Sequence, residues 1–219
     1  MSQLSAIPEN HPHQLFVEGN DDVHSIIQFM SRHGFDWSRP LPTSLPYLKA
    51  SGSDAAVLRG LSAGLKTWLR FGIVVDADDD PERRWNEIRR ESKKAGVVLP
   101  DSPPVTGLIV PGITPDRRFG VWMMPDNQLP GRLEDFLQQL IPSGDPLWSH
   151  AQGSTIAARS LGAAFKPSHL GKAQFRTWLA WQEQPGLPPG LALHRKFLAA
   201  DSAPALRFLA WFKRLFIES

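Results

Sequence analysis

The chain has 219 residues, 42% of them hydrophobic and 21% charged, which is enough to bury one substantial core and argues against a second independent domain. The absence of cysteine excludes disulfides, thiolate zinc sites, iron–sulfur ligation and a cysteine nucleophile, and it fits a reducing cytoplasm. A net charge of +2 does not by itself indicate nucleic-acid binding, and no apolar run approaches the roughly 20 residues that span a bilayer, so we expect a cytoplasmic protein without membrane association.

The first elements form a strand, a loop and a helix. Residues 1–13 are polar and contain two prolines, so we expect a loose leader. Residues 14–17 predict a short strand, after which Glu18 and Gly19 open an acidic loop. The next helix is indicated by apolar residues at i, i+3, i+4 and i+7, namely Val23, Ile26, Ile27 and Met30.

A second unit leads into the most informative stretch of the chain. Residues 47–50 predict a strand, and a helix with an apolar stripe follows Ser53. Residues 70–75 then form an apolar run of the kind found in a parallel strand buried on both faces. This run ends in a group of acids at positions 76, 78, 79 and 80.

The helix that follows Pro81 is dense in charge, and Asp80 is expected to cap it. Its basic residues could guide a nucleic acid, although a solvated face with i, i+4 ion pairs explains the same pattern. The weak candidates for phosphate contacts are Arg83, Arg84, Arg89, Arg90, Arg117, Arg118 and Arg132.

The second half of the chain completes the predicted fold. Residues 105–110 and 119–124 predict two strands that pair antiparallel, and an amphipathic helix covers residues 133–141. Beyond residue 142 the pattern predicts only helices, over 145–163, 170–183 and 204–216, with tryptophans placed for packing. We therefore predict an α/β domain over 14–141, with an open, mostly parallel sheet flanked by helices, and a helical extension over 142–219 packed on the same domain.

Acids follow two of the predicted parallel strands. Glu18 and Asp22 follow the first, and Asp76 and Asp78 follow the third. The carboxyl ends of parallel strands share one edge of a sheet, so these four side chains can converge. Ligation by oxygen alone indicates Mg²⁺ or Mn²⁺ rather than zinc, while the simpler interpretation is that strand-end acids cap helices.

Residues 16–22, Phe-Val-Glu-Gly-Asn-Asp-Asp, followed by a helix and later by Ile-Val-Val-Asp-Ala-Asp at 73–78, resemble the Toprim domain of topoisomerases, bacterial primases, RNA maturases and OLD-type nucleases. The resemblance covers roughly residues 14–95. It implies that Glu18 is a metal ligand or the general acid/base, and that Asp76 and Asp78 are metal ligands. The OLD-type pattern further implies Asp22, with Glu134 as an additional ligand and Lys172 as a catalytic lysine.

The expected function is a Mg²⁺-dependent nuclease or other phosphodiester hydrolase, acting in defence against mobile DNA. DNA or RNA and a separate ATPase protein are the expected partners, since the chain lacks the G-x-x-x-x-G-K-[ST] sequence, and an oligomer is compatible with the sequence. Two alternatives stay open: a module that binds metal and a partner without catalysis, and an RNA maturase.

Overall fold

The computed structural model describes residues 11–38 and 40–218, and the predicted loose leader falls largely outside them. Within these residues there are five strands and eight α-helices. The strands are β1 His13–Val17, β2 Tyr47–Ala50, β3 Arg70–Asp76, β4 Leu108–Pro111 and β5 Arg118–Met124. The helices are α1 Asn20–Ser31, α2 Asp54–Thr67, α3 Pro81–Lys94, α4 Leu133–Gln138, α5 Pro146–Ser160, α6 Leu170–Ala180, α7 Pro189–His194 and α8 Ala203–Phe216.

The strands form one sheet in the order β2-β1-β3-β5-β4. β1 pairs parallel with β2 and β3, β3 pairs parallel with β5, and β4 alone runs antiparallel, beside β5. The predicted α/β class with an open, mostly parallel sheet flanked by helices is therefore confirmed, including the antiparallel pair.

Both faces of the sheet are buried, because side chains of a strand alternate between its two faces. In β3, Val74 belongs to the core under α1, α4 and α8, whereas Ile73 and Val75 belong to the core under α2 and α3. The continuous apolar run of β3 is thus explained by helices on both sides.

α8 packs directly on the middle of the sheet at a glycine in β5. A β-carbon at Gly120 would lie 2.4 Å from Leu215 Cδ2, so only glycine permits this approach. At the same face, Trp211 donates its indole N–H to the carbonyl of Leu108 (3.0 Å). The last helix therefore shares its core with the sheet.

Side-chain caps that can be recognised in the sequence mark the first residues of α2 and α3. Ser53 accepts a hydrogen bond from Ala56 N at the start of α2, and Asp80 accepts one from Arg83 N (2.9 Å) at the start of α3. The predicted cap at Asp80 is confirmed. Among the described residues, no helix combines the length and apolar character needed to cross a bilayer.

Several element boundaries differ from the sequence interpretation, and two of the differences have a clear local cause. The strand predicted from residue 105 begins only at Leu108, because Gly107 adopts φ +75° and turns the chain. The Pro-rich stretch 184–190 runs into a helix, α7. Pro189 is compatible with the first turn of this helix, because a backbone N–H at that position would have no partner within the helix.

Candidate metal centre

The two acidic motifs meet at the carboxyl edge of the sheet. Glu18 follows β1 and Asp76 ends β3, and these strands are parallel neighbours. Glu18 Oε1 accepts a hydrogen bond from the backbone N–H of Asp76 (3.0 Å). The convergence of the two strand ends, expected from topology, is thus present at atomic detail.

Asp22 lies in the first turn of α1, immediately after the β1 loop. It is buried, and its Oδ2 accepts a hydrogen bond from the backbone N–H of Gly19 (3.0 Å). The start of α1 therefore turns this carboxylate back toward the strand end that carries Glu18.

α4 brings the third segment of chain to the same place. Asp76 Oδ1 accepts a hydrogen bond from the backbone N–H of Leu133 (3.0 Å), and the next residue, Glu134, is buried. Glu134 Oε1 forms an ion pair with Lys172 Nζ (2.8 Å) from α6. The helical extension thus supplies a lysine beside the carboxylates.

We call Glu18, Asp22, Asp76 and Glu134 the carboxylate cluster. Burial, and then the negative charges of Glu18, Asp22, Glu134 and Asp78, raise the pKa of Asp76 to about 9. Burial, with Glu18 and Glu134 nearby, raises the pKa of Asp22 to about 7. The charges of Glu18 and Glu134 therefore make both Asp22 and Asp76 harder to ionise, which is the condition that a cation relieves.

The pKa of Glu18 is also raised, chiefly by burial. The charges of Asp54 and Asp78 act in the same direction, while the N–H of Asp76 and the guanidinium of Arg84 oppose them. Glu18 is thus a carboxyl that can hold a proton more readily than an exposed glutamate.

The donors in the cluster fit a hard divalent cation. All are carboxylate oxygens, which suit Mg²⁺ or Mn²⁺. Across residues 11–38 and 40–218, however, no three histidine, aspartate or glutamate side chains already form a coordination shell. Glu18 and Asp76 accept hydrogen bonds from backbone N–H groups instead, and Glu134 is paired with Lys172.

Asp78, predicted as a ligand beside Asp76, has a different environment. Its Oδ2 bonds to Arg84 Nη2 (2.7 Å) and its Oδ1 to Arg132 Nε (2.8 Å). Its backbone has φ +54°, a left-handed conformation in which an aspartate is uncommon. The charge of Asp78 is balanced by two guanidinium groups, whereas no cationic side chain among the described residues is bonded to the carboxylate of Asp76.

Arg84 is not the surface cation that the sequence suggested. Its side chain is 1% exposed, and it contacts Asp54 (2.6 Å), Asp78 and Glu87 (3.2 Å). Its Nε also donates to the carbonyl of Asp76 (3.0 Å). A buried guanidinium with its donors already engaged is not available to a phosphate backbone, so Arg84 is removed from the nucleic-acid candidates.

The other basic residues of α3 do lie at the surface. Arg83 pairs with Glu87 (2.8 Å), Arg89 with Asp101 (2.5 Å) and Arg90 with Glu91 (3.3 Å). A groove of about 420 Å³ between α2 and α3 is lined by Arg83 and Arg90 and by their partners Glu87 and Glu91. Both interpretations of this helix, ion-paired face and phosphate contact, remain compatible with it.

Arg117 and Arg118 lie at the wrong edge of the sheet for the cluster. Arg118 pairs in register with Arg70 at the start of β3, while Asp76 pairs with Met124 at its end. Arg118 donates to the carbonyl of Glu218 (2.9 Å), and Arg117 donates to that of Lys66. These two arginines bond to the end of α8 and the end of α2, so their role as weak nucleic-acid contacts stays a prediction for a surface away from the cluster.

Asp54 was missed by sequence reasoning. It begins α2, directly after β2, and so reaches the same edge of the sheet as the acids that follow β1 and β3. That position was available from the pattern of strands. What singles out Asp54 is its contact with Arg84, which depends on how α2 and α3 pack together.

The fold and the cluster together define an α/β protein with an open parallel sheet and a group of coupled carboxylates at its carboxyl edge. The chain belongs to the family described as "Protein of unknown function (DUF3226)", whose family model matches residues 12–217. Neither the curated proteins nor the solved structures contain a match to the chain.

Proposed function

We propose that this protein is a Toprim-like, Mg²⁺- or Mn²⁺-dependent phosphodiester hydrolase, a nuclease that acts on DNA or RNA. The observation that carries the proposal is the carboxylate cluster, in which acids from three chain segments converge. Burial, together with the charges of these acids, raises the pKa of Asp76 to about 9. Such mutual repulsion is retained at functional sites, where a divalent cation or a proton compensates it.

The residues divide into two roles. Glu18, Asp22, Asp76 and Glu134 would hold the cation, which when bound polarises a phosphate and activates water. The Glu18 carboxyl, which follows β1, accepts a hydrogen bond from the backbone N–H of Asp76 at the end of β3. We assign Glu18 the role of general acid/base as well.

Cations at the rim of the cluster suit the phosphate groups of a substrate. Lys172 has 50% of its side chain exposed and stands beside Glu134, so its ammonium can neutralise charge that develops on the phosphate. Arg132 is partly exposed next to Asp78, and Arg83, whose side chain is 53% exposed, lies in the first turn of α3. Such contacts give affinity without sequence preference.

The test is cleavage of plasmid DNA and of structured RNA by the purified chain, with Mg²⁺, with Mn²⁺ and with a chelator. We expect cation-dependent cleavage that Glu18→Ala and Asp76→Ala abolish while circular dichroism shows a retained fold. Asp116→Ala is the matched control, because Asp116 is an exposed acid in the loop at the opposite edge of the sheet. Full activity in both cluster variants, or cleavage indifferent to the chelator, would refute the nuclease assignment.

The resemblance to OLD-type nucleases extends the proposal to a role in defence against mobile DNA, in the cytoplasm, with the ATPase on a separate chain. Copurification of such an ATPase with the tagged protein, and its effect on the cleavage rate, test this extension.

A partner-binding module without catalysis is the second candidate. One observation favours it: the helical extension presents apolar side chains to solvent, with Leu161 89% and Ile156 54% exposed. In that case a partner would bind equally well with chelator present or with Asp78→Ala, and no nucleic acid would be cleaved. An RNA maturase would instead show trimming of a defined RNA with DNA left intact.

A further inference from the structure

Arg84 connects the acidic strand end to two helices that contribute nothing to the carboxylate cluster. Its guanidinium reaches the Asp76 carbonyl through Nε, Asp78 through Nη2, and both Asp54 and Glu87 through Nη1. Because the side chain is 1% exposed, water does not replace any of these partners if one is lost. The guanidinium thus contacts one backbone carbonyl and three carboxylates inside the protein.

We propose that Arg84 is a positioning residue: it fixes the backbone of residues 76–79, which we call the acidic loop, in the conformation that presents Asp76 to the cation. The inference rests on the proposed cation site. Arg84 acts through the Asp76 carbonyl and the Asp78 carboxylate and does not itself contact the cation or substrate.

The acidic loop is held from two sides. On one side, Arg84 holds the Asp76 carbonyl and Asp78 Oδ2. On the other, Asp78 exchanges two backbone hydrogen bonds with Gly131 (3.0 and 2.7 Å), and Arg132 holds Asp78 Oδ1. This second link matters for the cluster, because the chain continues from Arg132 into α4.

The bonds of Asp78 to Gly131 and Arg132 therefore help to position two carboxylates of the cluster, Asp76 and Glu134. The N–H of Leu133 bonds to Asp76 Oδ1, and Glu134 is the next residue. With Asp78 held at φ +54° between the two arginines, the start of α4 has a defined place relative to the end of β3. Release of Asp78 by Arg84 would loosen Asp76 and the approach of Glu134 together.

A lysine cannot reproduce this arrangement. The planar guanidinium presents its donors in a rigid fork, which here spans a carbonyl and three carboxylates, whereas an ammonium is a point charge on a flexible stem. Arg84→Lys keeps the charge and loses the geometry, and Arg84→Gln loses both.

The sign of the change in affinity separates positioning from charge. Loss of a positive charge near a cation site would by itself tighten cation binding. Loss of positioning would weaken it, and removing residues that orient metal ligands elsewhere weakens binding about 10- to 100-fold. A weaker Mg²⁺ affinity in Arg84→Gln therefore cannot come from charge.

The experiment is calorimetric titration of the full chain with Mg²⁺ alone and with Mn²⁺ alone. We expect both Arg84→Lys and Arg84→Gln to bind at least about tenfold more weakly than the wild type. The matched controls are Arg59→Lys and Arg59→Gln, at an exposed arginine on α2, which should stay within about twofold, since an exposed charge is well screened. Asp54→Asn, which removes one anchor of Arg84 and keeps the arginine, gives a smaller loss and covers the case in which the Arg84 variants do not fold.

Unchanged or tighter cation binding in the folded Arg84 variants overturns the inference, as does an equal loss in the Arg59 variants. If the Arg84 variants do not fold, unchanged binding in Asp54→Asn overturns it. A wild type that binds Mg²⁺ but cleaves no nucleic acid overturns the nuclease proposal and leaves the positioning role standing. A wild type that binds neither cation overturns both.

Discussion

Asp76 and Asp78 stand one residue apart and face opposite electrostatic conditions. Asp76 is surrounded by other carboxylates, receives a backbone N–H from Leu133, and has a pKa raised to about 9 by burial and by those neighbours. Asp78 is bonded by Arg84 and Arg132. Within the part of the chain that the structure describes, only Asp78 of these two acids is bonded by cationic side chains, so Asp76 is the acid whose charge a bound cation would compensate.

The comparison also separates two kinds of stabilisation. Around Asp78, opposite charges within the protein already compensate one another and hold the acidic loop. Around Asp76, like charges oppose folding in the absence of a cation, as is common where a site is arranged for function. Substitutions at the two positions should therefore change stability in opposite directions.

The largest effect is expected from Asp76→Asn in the metal-free protein. The amide keeps the acceptor for Leu133 N–H and is neutral without a bound proton, whereas the Asp76 carboxyl has to take up a proton on folding at pH 8. The free energy of unfolding at pH 8 should therefore rise by about 3 kcal/mol. Chemical denaturation with chelator present measures this. A decrease in stability would contradict the assignment of Asp76 as the uncompensated acid.

The pH dependence of the metal-free protein carries the same information. The folded-state pKa of Asp76, about 9, lies above the ordinary 3.8, so between these values the folded protein holds a proton that the unfolded chain has released. This contribution to stability is fully present below pH 3.8 and is lost as the pH rises through 9. The downward slope of stability against pH should become shallower in Asp76→Asn, and an unchanged slope would assign it to other groups.

Asp78→Asn should have the opposite and smaller effect. It leaves the buried Arg84 with one charged partner fewer, and because Asp78 is itself 30% exposed we expect a loss of about 2 kcal/mol rather than the larger value of a fully buried pair. Denaturation under the same conditions measures it, with Asp101→Asn as the control, since Asp101 pairs with Arg89 at the surface. Equal stability of the two variants would mean that the arginines do not depend on Asp78.

Added Mg²⁺ should stabilise the wild type more at pH 8 than at pH 6. Protons and the cation compete for the same carboxylates, and the pKa of Asp22 is about 7 while that of Asp76 is about 9. We expect a rise in Tm of a few degrees at pH 8 that shrinks at pH 6 and is absent in Asp76→Asn. A rise in Tm that is the same at both pH values would show that the cation does not bind at the carboxylate cluster.

The sequence predicts contacts that depend on strand order or on neighbouring residues, but it does not predict contacts that depend on how two helices pack together. The meeting of Glu18 with Asp76 follows from strand order alone, since both residues end parallel strands, and the cap at Asp80 follows from its neighbour Pro81. The role of Arg84 requires knowing that α2 packs beside α3, which brings Asp54 to it.

One signal for Arg84 was nevertheless present in the sequence. Arg84 lies on the same stripe of α3 as the buried residues Trp85, Ile88 and Ser92, at helical spacing. The many charged residues around Arg84 in the sequence favoured a different interpretation, because a helix rich in arginine and glutamate is ordinarily solvated. Counting which arginine falls on the apolar stripe would have separated Arg84 from Arg83.

Lys172 provides the smallest effect on stability and the finest test of the comparison. It pairs with Glu134, a member of the cluster, but half of its side chain is exposed, so Lys172→Gln should change the free energy of unfolding by less than about 1 kcal/mol. The loss of a positive charge beside the cluster should leave Mg²⁺ affinity equal or slightly higher. Cleavage should nevertheless fall by about 100-fold if the ammonium stabilises charge on the reacting phosphate.

The split between binding and cleavage is what distinguishes Lys172 from Arg84. Arg84 variants are expected to lose cation affinity, and Lys172→Gln to keep it while losing turnover. Lys166→Gln is the control, because Lys166 is an exposed lysine in the segment that precedes α6. Equal cleavage by Lys172→Gln and Lys166→Gln would place Lys172 among the surface charges and leave the cluster to act on the phosphate without it.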